Sequence, residues 1–346
     1  MPPSKFILYS FEDLIWTSLG SKSEFDKIIG STWKTVADGG FLKYKLEDPP
    51  NMRSFEAGPM RIFVLVLRSR FNKRREPTAF KMIDEPVSAN KFNFTKIEPV
   101  ETLLHFNFRE IENCDGNIIA NVSPFEFGHS LIVPNCDKLY NQVLRKSPLH
   151  MALTTMLLSA NDYLCLGFNS LLAYASVNHL HFHLWYSTHR LYASVCPIRG
   201  KEYLPRHMEL DFHPVDNFVF EFNSHKDFQS TFECLWKVIE ECQRLQIAHN
   251  LFAARNASGV LRVVFWPRRT AFEAKACLRH LSEELPGSES TVADFDVAVA
   301  ELAGMLVVPD ASIAEKLTSS PDHLLEVYLN EKLENHLVSK LEKALQ

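Results

Sequence analysis

The sequence predicts an α+β fold in which antiparallel sheets carry packed helices, built as two halves in one chain. Three observations predict it. Short apolar runs with strand-like alternation recur along the chain, and two of them flank the turn Cys114-Asp115-Gly116-Asn117, a hairpin signal. Stretches of helical spacing alternate with these runs. The character then changes over residues 197–217, where Pro197, Gly200, Pro205 and Pro214 fall among mixed charges. We therefore expect a first half over residues 25–196 and a second over residues 210–346, packed on each other. A chain of 346 residues is long enough for two such halves with a sizeable core.

The elements follow in order. Ile28, Ile29, Trp33 and Val36 share a helical face that ends at Gly39-Gly40. Residues 41–46 alternate like a strand, and residues 61–67 read as a buried one. That run leads into Arg68, Arg70, Lys73, Arg74 and Arg75, and Pro77 closes the basic stretch. Residues 101–109 and 118–122 form the hairpin pair. Residues 128–134 are a strand stopped by Pro134, and residues 147–162 a helix with Leu149, Leu153, Met156 and Leu157 on one face. Residues 164–168 and 175–185 read as paired strands around Asn169-Ser170. The second half opens with a strand at 218–222 and a helix at about 227–245. Strands follow at 250–255 and 260–266, then a polar loop at 283–290 and further helices.

Composition narrows the function. Hydrophobic residues make up 46% and charged residues 23%, as in a soluble globular protein. The 26 Phe are read first as core. A net charge of -5 supplies no global basic field, so no nucleic-acid partner is expected and any anion site must be local. The seven Cys include no Cys-x-x-Cys pair, which points to a reducing compartment and away from a thiolate zinc site. Residues 1–16 lack the pattern of a secretory signal, and apolar runs such as 62–67 are too short to span a bilayer. A cytoplasmic protein without a membrane partner is the expectation.

His179, His181 and His183 stand two residues apart. On a strand that spacing sets all three imidazoles on one face, with Leu180, Phe182 and Leu184 facing the core. Packing gives no reason for three histidines on one face. Two chemistries are open. Spaced histidines can bind zinc, although the motif contains no carboxylate and no Cys/His spacing elsewhere completes a site. A neutral imidazole can also attack phosphorus, if neighbours hold its tautomer and neutralise the phosphoryl oxygens.

The run His179-Leu180-His181-Phe182-His183-Leu184 resembles the signature of the histidine-triad superfamily. Ala175-Ser176-Val177 is similar to the segment that precedes it, and Gly128-His129-Ser130-Leu131-Ile132-Val133-Pro134 resembles the superfamily's Gly-His-x-Leu-x-x-Pro strand. Three further stretches narrow the match: Phe92-Asn93-Phe94-Thr95-Lys96, residues 121–129, and Leu166-Gly167-Phe168-Asn169-Ser170. They resemble the GDP-hexose phosphorylase family, which includes animal GDP-D-glucose and plant GDP-L-galactose phosphorylases. The resemblance runs from about residue 25 over most of the chain and is most specific over 92–184.

This resemblance implies sheets of histidine-triad type and cleavage of a GDP-hexose, here GDP-D-glucose, by inorganic phosphate. The products are GDP and a hexose 1-phosphate. It implies that His181 is the nucleophile, that His179 orients it and that His183 lies near the phosphoryl oxygens. Ser176 would donate to those oxygens, and the scheme needs no metal or other cofactor. Candidate substrate contacts are Asn169 and Ser170 in the loop before the triad, His129 on the upstream strand, and Arg74 and Arg75 in the basic run. Phe92 or Phe94 is placed to stack on a base. Arg262 matches a basic position of the family, and His249 reads as structural.

Two departures stand out. The third triad position is His183, where the plant members usually carry Gln, and His there is typical of hydrolases. The family's Gln-Leu-Asn-x-Gly-Arg stretch is replaced by Val66-Leu67-Arg68-Ser69-Arg70-Phe71. The alternatives are therefore a nucleotide hydrolase of histidine-triad type and a divergent non-catalytic regulatory protein.

Overall fold

The computed structural model describes residues 6–17, 20–75, 78–201, 204–276 and 296–346, with no side chains over 201–207. Pro77, Cys277 and the 283–290 loop lie outside the described residues. The strands are β1 (Phe6–Tyr9), β2 (Met52–Ala57), β3 (Met60–Val66), β4 (Thr102–Phe108), β5 (Gly116–Ala120), β6 (Ser130–Pro134) and β7 (Leu164–Asn169). They continue with β8 (Phe182–Tyr186), β9 (Ile198–Lys201), β10 (Leu204–Leu210), β11 (Phe218–Phe222), β12 (Ala248–Arg255), β13 (Leu261–Arg268) and β14 (Met305–Val308).

Eleven strands form one sheet in the order β1-β4-β5-β6-β8-β7-β12-β13-β11-β10-β9, and three form a second, β14-β3-β2. All pairs are antiparallel except the parallel pairs β1 with β4 and β14 with β3. The stretches 25–196 and 210–346 thus share one sheet and meet where β7 pairs β12. Each stretch repeats one plan. A strand (β6 or β11) leads to a helix (Lys146–Met156 or His225–Arg244), and a hairpin follows whose second strand pairs back beside the first. Residues 197–217, with their prolines, hold the edge strand β9 and its neighbour β10.

Local chemistry sets the helices. In Glu24–Asp38 the Ser23 hydroxyl accepts from the Asp26 amide at 3.2 Å and the Asp26 carboxylate accepts from the Ser23 amide at 2.9 Å, a reciprocal cap. Its buried face is Phe25, Ile29, Trp33 and Val36. This helix, with Lys146–Met156, His225–Arg244 and Asn335–Lys343, covers one face of the large sheet, onto which Leu180, Phe182 and Leu184 point. The other face, with Cys165, Trp185, Phe252 and Trp266, is covered by the small sheet and the helices Val299–Ala303, Ala311–Ser319 and Pro321–Asn330. Period-two alternation along β8 therefore sends leucine to one layer and histidine to the other.

Three expectations differ from the structure. Residues 41–46 are not a strand; they cross the sheet with one ladder-like bond, from the Lys43 amide to the Val122 carbonyl at 2.8 Å. Instead β2, at 52–57, pairs β3. The triad strand is also shorter than its hydrophobic pattern, starting at Phe182, so His179, at a bend, and His181 both precede it. The helix read over 147–162 ends at Met156, followed by turns.

Candidate functional site

A cavity of about 810 Å³ lies on the histidine side of the large sheet. Its floor includes Ile119 of β5, Leu131 of β6, Asn169 of β7 and Trp185 of β8. Its walls include Arg70 and Phe71 from the short helix Arg68–Lys73, Phe92 and Phe94, and Val299 and Ala300 from Val299–Ala303. His181 and His183 both line it.

Two glycines make room for side chains packed against them. Gly128 has φ +69°, and a Cβ there would lie 2.6 Å from the Tyr186 ring. A Cβ on Gly167 would lie 2.6 Å from Val299 Cγ1, so only glycine lets Val299–Ala303 sit against β7.

Each imidazole has a defined tautomer, set by its partners. The Phe94 amide donates to His179 Nδ1 at 3.0 Å, which places the His179 proton on Nε2. His181 Nδ1 donates to the His179 carbonyl at 2.8 Å, which leaves His181 Nε2 with its lone pair. The Phe125 amide donates to His129 Nδ1 at 3.2 Å. His129 Nε2–H then donates to His183 Nδ1 at 3.1 Å, so the His183 proton is on Nε2. Asn121 Nδ2 also lies 3.1 Å from His129 Nε2, but as a second donor; its Oδ1 is taken by the Ser123 amide at 3.0 Å.

Burial keeps these rings neutral. It holds His179 and His181 down at about 4, with hydrogen bonds to backbone acting weakly the other way. His129 and His183 lie well below the usual histidine value, first from burial and then from neighbouring imidazoles and the Arg70 guanidinium. Among the described residues, no group of three or more His, Cys, Asp or Glu side chains is arranged to hold a metal ion.

The backbone of His181 is held by a side chain. Gln142 Oε1 accepts from the His181 amide at 2.9 Å, and Gln142 Nε2 donates to the His181 carbonyl at 3.1 Å and the Asn169 carbonyl at 3.0 Å. Asn169 Oδ1 in turn accepts from Asn250 Nδ2 at 2.6 Å and the Val299 amide at 3.0 Å. Both acceptor positions of that oxygen face the protein, so the amide NH2 of Asn169 is the group left for the cavity. Behind it, Asn250 Oδ1 accepts from Arg268 at 3.1 Å, and Arg268 pairs with the buried Glu331.

The other sequence candidates divide. Ser176, Arg74 and Arg75 line the cavity with Asn169, His181 and His183. Arg74 is 3.5 Å from Asp296, and Arg75 lies over the Phe92 ring. His129 and Ser170 do not line it. His129 is fully buried behind His183, and the Ser170 hydroxyl accepts from the His249 amide at 2.9 Å. Arg262 does not line the cavity; it is bonded to Glu221 at 3.0 Å and to the Cys196 carbonyl at 2.7 Å. His249 is buried and donates to the Ile247 carbonyl at 2.9 Å. The departing segment 66–71 supplies Arg70, which donates to the Ser123 carbonyl and sits 5.5 Å from the centre of the Phe125 ring. Sequence reasoning grouped Arg70 with a basic run and gave Gln142 no role; no periodicity or motif marks either one.

The chain is similar to several known proteins. A family model described as GDPGP1-like, N-terminal domain, matches residues 24–185. GDP-D-glucose phosphorylase 1 of Danio rerio is 30% identical over 345 residues, covering 92% of each chain. The Bos taurus protein of the same name is 30% identical over 318 residues, covering 86% of this chain and 77% of its own. In fold, the chain is similar to yeast Ap4A phosphorylase in complex with Ap4A, with a TM-score of 0.64 at 13% identity over 90% of this chain and 99% of the other. By sequence over nearly its full length, the chain belongs to the GDP-D-glucose phosphorylase family.

Proposed function

We propose that the protein cleaves GDP-D-glucose with inorganic phosphate, giving GDP and glucose 1-phosphate through a guanylyl-histidine on His181. The observation that carries the reading is the tautomer of His181: Nδ1–H is committed to the His179 carbonyl, so Nε2 offers a lone pair at a cavity wall. In the first half-reaction that lone pair forms a bond to the α-phosphorus. The bond from the α-phosphorus to the bridging oxygen breaks, and the electron pair leaves with glucose 1-phosphate. In the second, an oxygen of inorganic phosphate attacks the same phosphorus, the P–N bond breaks and the pair returns to Nε2.

The remaining groups supply position and charge, which dominate such transfers. His183 Nε2–H, oriented by His129, donates to a phosphoryl oxygen. Arg70, Arg74, Arg75 and Ser176 hold the phosphates, and the Asn169 amide reaches a ribose hydroxyl or phosphate. Phe92 and Phe94 offer faces to the base, with Phe94 centred 5.1 Å from His181. No step requires a metal. No helix among the described residues is long and apolar enough to cross a membrane, and we place the enzyme in the cytoplasm on its odd cysteine count without a Cys-x-x-Cys pair.

The test is to trap the adduct. With GDP-glucose labelled in the α-phosphate, the protein is expected to carry acid-labile label that His181→Gly lacks. Label retained by a folded His181→Gly would sink the assignment.

A further inference from the structure

Strands β7 and β8 separate at the site, and one side chain fills the gap. Their last paired residues are Gly167 and His183, and the same register continued would set Phe168 opposite Phe182 and then Asn169 opposite His181. The ladder stops there. The Gln142 amide lies between the two strands instead, bonded to the His181 amide and carbonyl and to the Asn169 carbonyl. It is 1% exposed and comes from the loop before Lys146–Met156, whose Tyr140 carbonyl also accepts from the Leu180 amide at 2.7 Å.

We propose that Gln142 is a positioning residue for the reaction, a side-chain rung that aims His181 Nε2 while holding the strands apart for substrate. The proposal rests on the reading of His181 as nucleophile. The geometry explains why this rung is glutamine. Asn169 and His181 face the gap with two carbonyls and one amide, and a primary amide offers two donors and one acceptor in one plane. All three bonds are buried, so their loss leaves unsatisfied backbone groups beside the nucleophile. The aim of the ring depends on the same segment, because His181 Nδ1 is tied to the His179 carbonyl two residues back. Gln142 does not line the cavity, so it positions His181 without touching substrate.

Two variants test this in a single-turnover assay of labelled adduct formation, run beside GDP affinity. Gln142→Met keeps length and loses all three bonds. An ångström of misplacement at a reacting atom costs about 100-fold, so adduct formation is expected to slow by about that factor. GDP affinity should stay within about three-fold, since no binding contact is lost. Gln142→Glu is the sharper test. A protonated carboxyl restores one acceptor and one donor, whereas a carboxylate would face two carbonyl oxygens. Adduct formation in Gln142→Glu should therefore fall as pH rises from about 5 to 8, as the buried acid ionises. The unmodified protein should show no such fall, because His181 is already neutral above about 4.

Adduct formation at the unmodified rate in Gln142→Met, or a flat pH response in Gln142→Glu, would overturn the proposal. If Gln142→Met does not fold, the Gln142→Glu series decides alone. If the unmodified protein forms no adduct, the guanylyl-transfer reading fails and this role falls with it. An unmodified adduct with indifferent variants removes only the role of Gln142.

Discussion

Gly167 sits where the cavity wall meets the sheet, and replacing it with alanine perturbs that contact in a calculable way. The new Cβ would lie 2.6 Å from Val299 Cγ1, 3.4 Å from Val299 Cγ2 and 3.3 Å from the Trp185 ring. Ordinary contact needs roughly 3.5 Å or more, so Val299 must retreat by about 1 Å. Overpacking of this kind costs about 1–3 kcal/mol. The retreat also strains the 3.0 Å bond from the Val299 amide to Asn169 Oδ1, which orients an amide that faces the cavity. Truncating the obstructing methyls should relieve most of the clash. Val299→Ala alone should cost about 1–2 kcal/mol as a buried large-to-small change. The double variant Gly167→Ala/Val299→Ala should then cost at least about 1 kcal/mol less than the two single costs added together. Urea denaturation of the four proteins, followed by circular dichroism, reads the cycle. Additivity within about 0.5 kcal/mol would refute the view that Gly167 is glycine because Val299 needs its space.

Three further outcomes follow from the same site. Because burial holds His181 at about 4, the acid limb of the adduct-forming step should lie near pH 4 rather than near 6.5, in a rapid-quench pH series; a limb at 6.5 would contradict the buried neutral nucleophile. Stability carries the matching sign. Unfolded histidine takes up its proton near 6.5 while folded His179, His181 and His249 resist it to about 4, so stability is full above 6.5 and is lost as pH falls through that window. Urea midpoints that stay level from pH 7 to 5 would count against it. Arg70→Gln removes a guanidinium whose contacts are a carbonyl and an aromatic ring, and phosphate KM should rise about 10-fold or more, as expected for loss of a charged hydrogen bond; an unchanged phosphate KM would place the acceptor elsewhere.

Much of this was legible in the sequence, for identifiable reasons. Helix Glu24–Asp38 and the β4–β5 hairpin carry strong local signals, apolar spacing closed by Gly39-Gly40 in one case and an Asp-Gly turn in the other. The triad was legible because histidine at every second position has no packing explanation. What escaped was non-local. Residues 41–46 alternate like a strand, yet no strand pairs with them, and pairing decides strand identity more than pattern does. His129 and Ser170 stand in conspicuous motifs, but their side chains turn to His183 and His249, which only the folded geometry reveals. Gln142 carries no signal in its own neighbourhood, because its function is set by a backbone gap 39 residues further along the chain.

Phosphate-dependent nucleotidyl transfer from a GDP-sugar is read out by a product assay. The purified protein is given GDP-glucose with and without inorganic phosphate, and the nucleotide and sugar products are separated. GDP and glucose 1-phosphate are expected only when phosphate is present. GMP formed without phosphate would contradict phosphate-dependent transfer, making water the acceptor and the third histidine the mark of a hydrolase, and silence under both conditions would contradict catalysis on this substrate altogether.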